Sequence, residues 1–425
     1  MDSGNIAWML TASALVLFMT PGLAFFYGGL VRGKNVVNMI MMSFMAMAVV
    51  GIAWILWGYS LAFGGANEFI GNFDYLGFKD VLPNIDTNGI EHVFDADGNL
   101  VETIDRGTIY SSMTVAIFQM MFAIITPALI TGAVAERFKF KTYLIFLVLW
   151  MTFVYAPIAH WVWGDNGWIG NMGASDFAGG TVVHINAGLA AVAAVILVRK
   201  RRGVERGIEA HNVPYVVLGA AILWFGWFGF NAGSALAANG SAVNAFMVTN
   251  TAAAMAALTW VMLGYFTTGR ASAVGAASGA VAGLVAITPA AGDVGAMGSL
   301  GIGLIAGALT WLTVRYRHLL RIDDALEVFA VHGVGGIVGA LLTGVFAAAV
   351  LQGNAGVVEG EFDLLWANFR AVAATVGYSF GVTIVILMIL DKVPGLGLRA
   401  SESDEDNGLD ISLHGERGYV GDGAD

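Results

Sequence analysis

Residues 177–198 read FAGGTVVHINAGLAAVAAVILV, a run at helix length whose only ionisable side chain is His184. A second run, 328–358, has only His332. Each histidine follows a valine (Val183, Val331) and precedes a glycine four residues on (Gly188, Gly336). A helix needs roughly 20 apolar residues to cross the hydrocarbon of a bilayer. An imidazole at that depth is costly and faces a partner or a water-accessible path. Two matched runs therefore predict a path that both line.

The rest of the chain agrees with a membrane setting. It is 57% hydrophobic and 12% charged over 425 residues, about half the charge of an ordinary soluble domain. No Asp, Glu, Lys or Arg occurs between Val213 and Gly269. The apolar runs are too long for the short alternating strands of a β-barrel. The pattern predicts an all-α polytopic membrane protein with eleven spans, near 6–31, 36–63, 109–135, 143–163, 177–198, 213–230, 243–266, 271–290, 294–314, 328–350 and 371–390. No basic region precedes the first span, which reads as a true helix rather than a cleaved leader. Residues 1–398 form the membrane domain and 399–425 a polar tail.

With the N-terminus outside, seventeen of the twenty basic residues fall on the inner side, and only Lys79, Arg106 and Arg370 on the outer. Excess Lys and Arg marks the cytoplasmic side, so the expectation is N-out and C-in. The net charge of −11 is concentrated in 68–105 and in the tail, both read as solvated segments. It excludes nucleic acid as a partner. The absence of cysteine excludes disulfides and thiolate metal sites. Glycines at four-residue spacing (275, 279 and 283; 303 and 307; 335 and 339) predict close helix packing in lipid.

His184 lies in the fifth span and His332 in the tenth, so the two cross in opposite directions. That predicts two five-helix halves as an inverted pseudo-repeat plus a final helix, with both imidazoles near the midplane, a transporter architecture. Paired histidines also suit a bis-histidine haem or a proton relay. His160, at a helix end, and His92, His211, His318 and His414, in loops, read as surface or interface residues. Trp227, Phe228 and Phe230, with Asn231 and Ser234, mix π faces and small polar groups as a cation-π vestibule requires, and Trp163 and Phe122 can join from neighbouring helices. Asp176 opens the fifth span and reads first as a helix cap; Glu327, five residues before His332, reads as interfacial.

Six stretches together resemble the ammonium transporter (Amt/Mep/Rh) family: DFAGGTVVHINA (176–187), GWFGFNAGS (226–234), FAVHGVGGIVG (329–339), PIAHWVW (157–163), FFYGGLVRGKN (25–35) and GLDISLHGE (408–416). They run nearly the whole chain. The resemblance implies an eleven-helix subunit of a homotrimer in the cell membrane, a transporter rather than an enzyme, needing no cofactor. It implies an outer ammonium site of Phe122, Trp163 and Ser234, a stacked gate of Phe122 and Phe230, Asp176 as supporting carboxylate, and His184 and His332 as twin pore histidines. The tail resembles those that dock PII-type regulatory proteins. Glu327 departs from the family, where many members carry Asp. A sensor of the same fold is the alternative, though such sensors are expected to carry a signalling domain beyond a tail this short.

Overall fold

The computed structural model describes residues 3–65 and 67–419; the last six residues of the tail lie outside them. Eleven helices are long and apolar enough to cross a membrane: α1 (Ser3–Leu30), α2 (Gly33–Phe63), α3 (Met113–Ile130), α4 (Phe140–Asn171), α5 (Gly180–Val198), α6 (Val213–Gly233), α7 (Gly240–Thr268), α8 (Ala273–Ala290), α9 (Ala296–Arg315), α10 (Phe329–Phe346) and α11 (Asp363–Lys392). All eleven expected spans are present. α11 begins eight residues earlier than its apolar run, because Asp363 and its neighbours extend the helix beyond the hydrocarbon stretch. Large apolar side chains such as Phe44 and Phe225 are exposed on the bundle surface, as the sides facing lipid require.

The polar connections separate into two faces. One carries a β-hairpin, β1 (Ile90–Phe94) against β2 (Leu100–Asp105), antiparallel with Ile90 opposite Asp105. This hairpin in the acidic stretch was not expected, since the strands are too polar to show an apolar alternation. A local turn drives it: Asp95 Oδ1 accepts from the backbone N–H of Asp97 (3.0 Å) and Asn99 (2.8 Å). Glu91, on β1, pairs with Arg106. The opposite face carries the tail, in which α12 (Glu402–Asn407) is a short helix. Its acidic run alone suggested disorder. A Ser401/Asp404 capping box starts the helix, and Arg202 and Arg399 neutralise it.

Glycine sets how closely the helices approach. A Cβ at Gly283 would lie 2.4 Å from the Ala252 carbonyl oxygen, and one at Gly303 2.5 Å from the same atom. α8 and α9 thus close on α7 from two sides, through the spacing noted in the sequence.

Candidate functional site

Both histidines sit on a locally wide turn. Gly180–Ile185 and Phe329–Val334 are π-helical, each passing into regular α-helix at the next residue. The His184 N–H reaches back five residues to the Gly179 carbonyl (3.1 Å), the bond that defines a π-turn. α5 starts at the hairpin face and α10 at the tail face, so the two wide turns meet head-on. His332 Nδ1 lies 3.3 Å from His184 Nδ1, with the rings stacked at 5.3 Å. One Nδ1 must carry the proton and the other its lone pair. The rings leave no gap for a macrocycle between them, which removes the haem reading. His184 Nε2 is buried without a partner, beside a narrow cavity of ≈ 10 Å³ walled by Phe26, Leu223, Trp227, Phe230 and Val281. That is room for about one water-sized molecule.

From His184 a file of rings continues toward the hairpin face. His184 stacks on Phe230 (5.9 Å) and Trp227 (5.4 Å). Phe230 lies 4.2 Å from Phe122, tilted by 40°. Trp163 meets Phe122 edge-on at 6.0 Å. The Trp163 indole N–H donates to the Asp176 carbonyl (2.9 Å), and that of Trp227 to Thr288 Oγ1 (2.9 Å). Ser234 closes α6 one turn beyond Phe230, its hydroxyl donating to the Phe230 carbonyl (2.8 Å). Phe122 and Phe230 are buried, whereas Trp163 and Ser234 are partly open.

Asp176 is consumed by the helix it starts. Its carboxylate accepts from the backbone N–H of Gly179 (3.0 Å), Gly180 (2.5 Å), Thr181 (2.8 Å) and Val182 (3.2 Å), and from the Thr181 hydroxyl. Sequence reasoning missed its counterpart. Asp324 lies eight residues before His332, as Asp176 lies eight before His184, and its Oδ2 accepts from the Phe329 N–H (2.7 Å) at the start of α10. The equal spacing was the available signal; Glu327, being nearer the histidine, drew attention instead. Burial pushes the Asp324 carboxyl up to about 6, although the backbone donors draw it down. Burial likewise lifts Glu327 to about 7 against the pull of Arg317, with which it pairs. Glu327 lines a tail-face recess of ≈ 480 Å³ with Arg201, Ser278 and Arg317.

The tail-face basic residues are largely spent in fixed contacts. Arg201 chelates Asp323 (2.9 and 2.8 Å). Burial pushes the Asp323 carboxyl up, but Arg201 and then Arg137 outweigh it and hold it below its usual range. Arg137, fully buried, donates to the carbonyls of Ala133, Ala135, Arg199 and Asp323. The tail was expected against 199–202 or 315–321. It docks on Arg202 and also on the start of α2, where Asp410 Oδ1 accepts from the Asn38 N–H (2.8 Å) and Leu409 is fully buried. All these contacts lie within one chain.

His160 is not a surface residue. It is buried, with Nδ1 2.9 Å from the Ala62 carbonyl and Nε2 2.7 Å from that of Asn67. It holds the end of α2 to the helix that carries Trp163. His414 is also partly enclosed, between Phe140 and Asn38.

Eleven spans, a buried file of rings ending on two imidazoles, and a recess at the opposite face define a polytopic membrane transport protein. The model of the Ammonium Transporter Family matches residues 7–419, and the chain belongs to that family. It is 44% identical to the ammonium transporter Amt1 of Archaeoglobus fulgidus, over 99% of this chain and 100% of the relative. It superposes on the crystal structure of Saccharomyces cerevisiae Mep2 with a TM-score of 0.85 at 37% identity, covering 95% of this chain and 88% of that one. A structure described as a sensor Amt protein matches with a TM-score of 0.85 at 29% identity, covering 97% and 98%.

Proposed function

We propose that this chain carries ammonium across the cell membrane, taking it up at the hairpin face and releasing it at the tail face. Trp163, Phe122 and Ser234 recruit the cation by π faces and a hydroxyl. Beyond them the walls are apolar, and a bare ion entering there meets a steep desolvation cost. Ammonium sheds a proton and proceeds as ammonia past Phe122 and Phe230; potassium has no neutral form. His184 and His332 hydrogen-bond the ammonia and relay the proton, since imidazole donates on one nitrogen and accepts on the other.

The observation that carries this reading is the unbroken succession of ring contacts from Trp163 to His332. The excess of basic residues on the tail face supports a cytosolic tail and an outward hairpin. The working unit is a homotrimer, whose contacts would use exposed apolar side chains such as Val243 and Leu258 of α7. The docked tail is the surface on which a PII-type partner would act. Currents recorded from proteoliposomes on a solid-supported membrane test the reading: ammonium should elicit a current and potassium none. Equal currents for both would refute the selectivity argument.

A sensor is the second reading, favoured by the likeness to the sensor Amt protein. Saturable ammonium binding with neither current nor uptake would establish it in place of transport.

A further inference from the structure

The residue before Asp176 is pinned from two directions. The Ser175 N–H donates to Asn368 Oδ1 of α11 (2.9 Å), and the Ser175 hydroxyl donates to Asp293 Oδ2 (2.7 Å). Asp293 lies in the turn between α8 and α9 and is 1% exposed. Its other oxygen accepts from Asn354 Nδ2 (2.7 Å). On the far side of Asp176, the Phe177 N–H donates to the Pro289 carbonyl (3.1 Å). A Cβ at Gly292 would lie 2.3 Å from the Phe177 ring. Residues 175–177 are thereby stitched to 289–293.

What this segment positions is the Trp163 indole, whose N–H rests on the Asp176 carbonyl. We propose that Asp293 is a positioning residue for ammonium recruitment, acting through Ser175 to fix the carbonyl against which Trp163 is set. The inference rests on the vestibule role of Trp163 proposed above. Asp293 does not touch the ring file. Both its oxygens meet neutral donors, and burial raises its carboxyl against their pull. Its acceptor geometry is therefore what matters, not its charge. An asparagine amide in the same place offers its oxygen to Ser175 and its N–H to Asn354, whose own amide turns over to present oxygen.

Three mechanisms give different results. Positioning predicts that Asp293→Ala and Ser175→Ala raise the half-saturating ammonium concentration in proteoliposome currents with little change in maximum current. A misplaced cation-π contact of about 0.5–1 kcal/mol corresponds to roughly a two- to fivefold rise. The two changes combined should add nothing further, because they break one linkage, and Asp293→Asn should restore the wild-type value. If Asp293→Asn is as impaired as Asp293→Ala, the residue acts through its field and the inference is wrong. A fall in maximum current alone would assign it a purely structural role and equally overturn the inference. Should Asp293→Ala fail to assemble, Ser175→Ala carries the test by itself. Trp163→Leu is the reference: an unchanged half-saturation there removes the vestibule reading and this inference with it. A shift in Trp163→Leu but not in Ser175→Ala removes the inference alone.

Discussion

Gly188→Ala should separate the two histidines. Gly188 lies one helical turn beyond His184, and its α-carbon rests directly on α10. A Cβ there would stand 2.3 Å from the Gly333 nitrogen and 2.4 Å from its α-carbon, where ordinary contact begins at 3.4 Å. Both obstacles are backbone, so no rotamer relieves them, and α5 and α10 must part by about 1 Å at a likely overpacking cost of ~1–3 kcal/mol. Gly333 adjoins His332, so the imidazole moves with it. The Nδ1–Nδ1 distance of 3.3 Å then passes the limit of a hydrogen bond. A displacement of that size in a site set for transfer lowers turnover roughly ten- to hundredfold. The pseudo-equivalent Gly336→Ala is the internal control. Its nearest contacts are at 3.0–3.1 Å, to Ile185 Cγ1, the Gly180 oxygen and His184 Cβ, and a few tenths of an ångström accommodate them. Ammonium-elicited current per assembled protein should collapse in Gly188→Ala and largely survive in Gly336→Ala. Wild-type current and selectivity in Gly188→Ala would refute the argument, as would a structure of that variant with the imidazoles still paired.

Asp410→Ala removes the acceptor that the tail lends to the start of α2, and loss of a helix cap costs about 1 kcal/mol. Limited proteolysis should cut the variant's tail faster than the wild type's, whereas equal protection would mean that Leu409 alone holds it. Glu327 binds its proton more tightly in the folded protein, being lifted by burial from 4.5 to about 7. Its contribution to stability is therefore complete below its unfolded value and is lost as pH rises through 7. Melting temperatures of the purified protein across that window should fall less steeply in Glu327→Gln; parallel curves would contradict the assignment. Arg201→Ala leaves the Asp323 carboxylate with Arg137 at 3.9 Å as its remaining ion partner, and breaking a buried pair costs about 3–5 kcal/mol. Thermal unfolding should show that loss and its partial recovery on adding Asp323→Asn, while an unchanged midpoint would count against a structural pair.

The spans were legible because bilayer thickness imposes a length on every apolar run, and nothing else in the chain resembles 213–269. The histidine pair was legible because isolated imidazoles stand out in such runs. Features that depend on distant backbone were not. His160 is buried by carbonyls 93 and 98 residues away, and no local pattern announces them. The hairpin at 90–105 depends on a turn of polar residues rather than on an apolar face. Asp324 was overlooked although its spacing repeats that of Asp176, because polar loop residues near a span offer many readings and only an intact cap selects one. The wide turns at 180–185 and 329–334 have no compositional signal, for valine, glycine and histidine suit either helix type.

Those wide turns make the two spans sensitive to counting. A π-turn holds one residue more than regular helix needs, so losing one residue from 180–185 would leave a continuous helix of nearly the same length. Everything on one side of the deletion would instead rotate by about 100° relative to the other. The span would still insert, and the protein would still reach its membrane, but His184 and Asp176 would no longer look in their related directions. A single lost codon there gives a silent transporter of normal abundance, a phenotype that a screen for folding alone would never register.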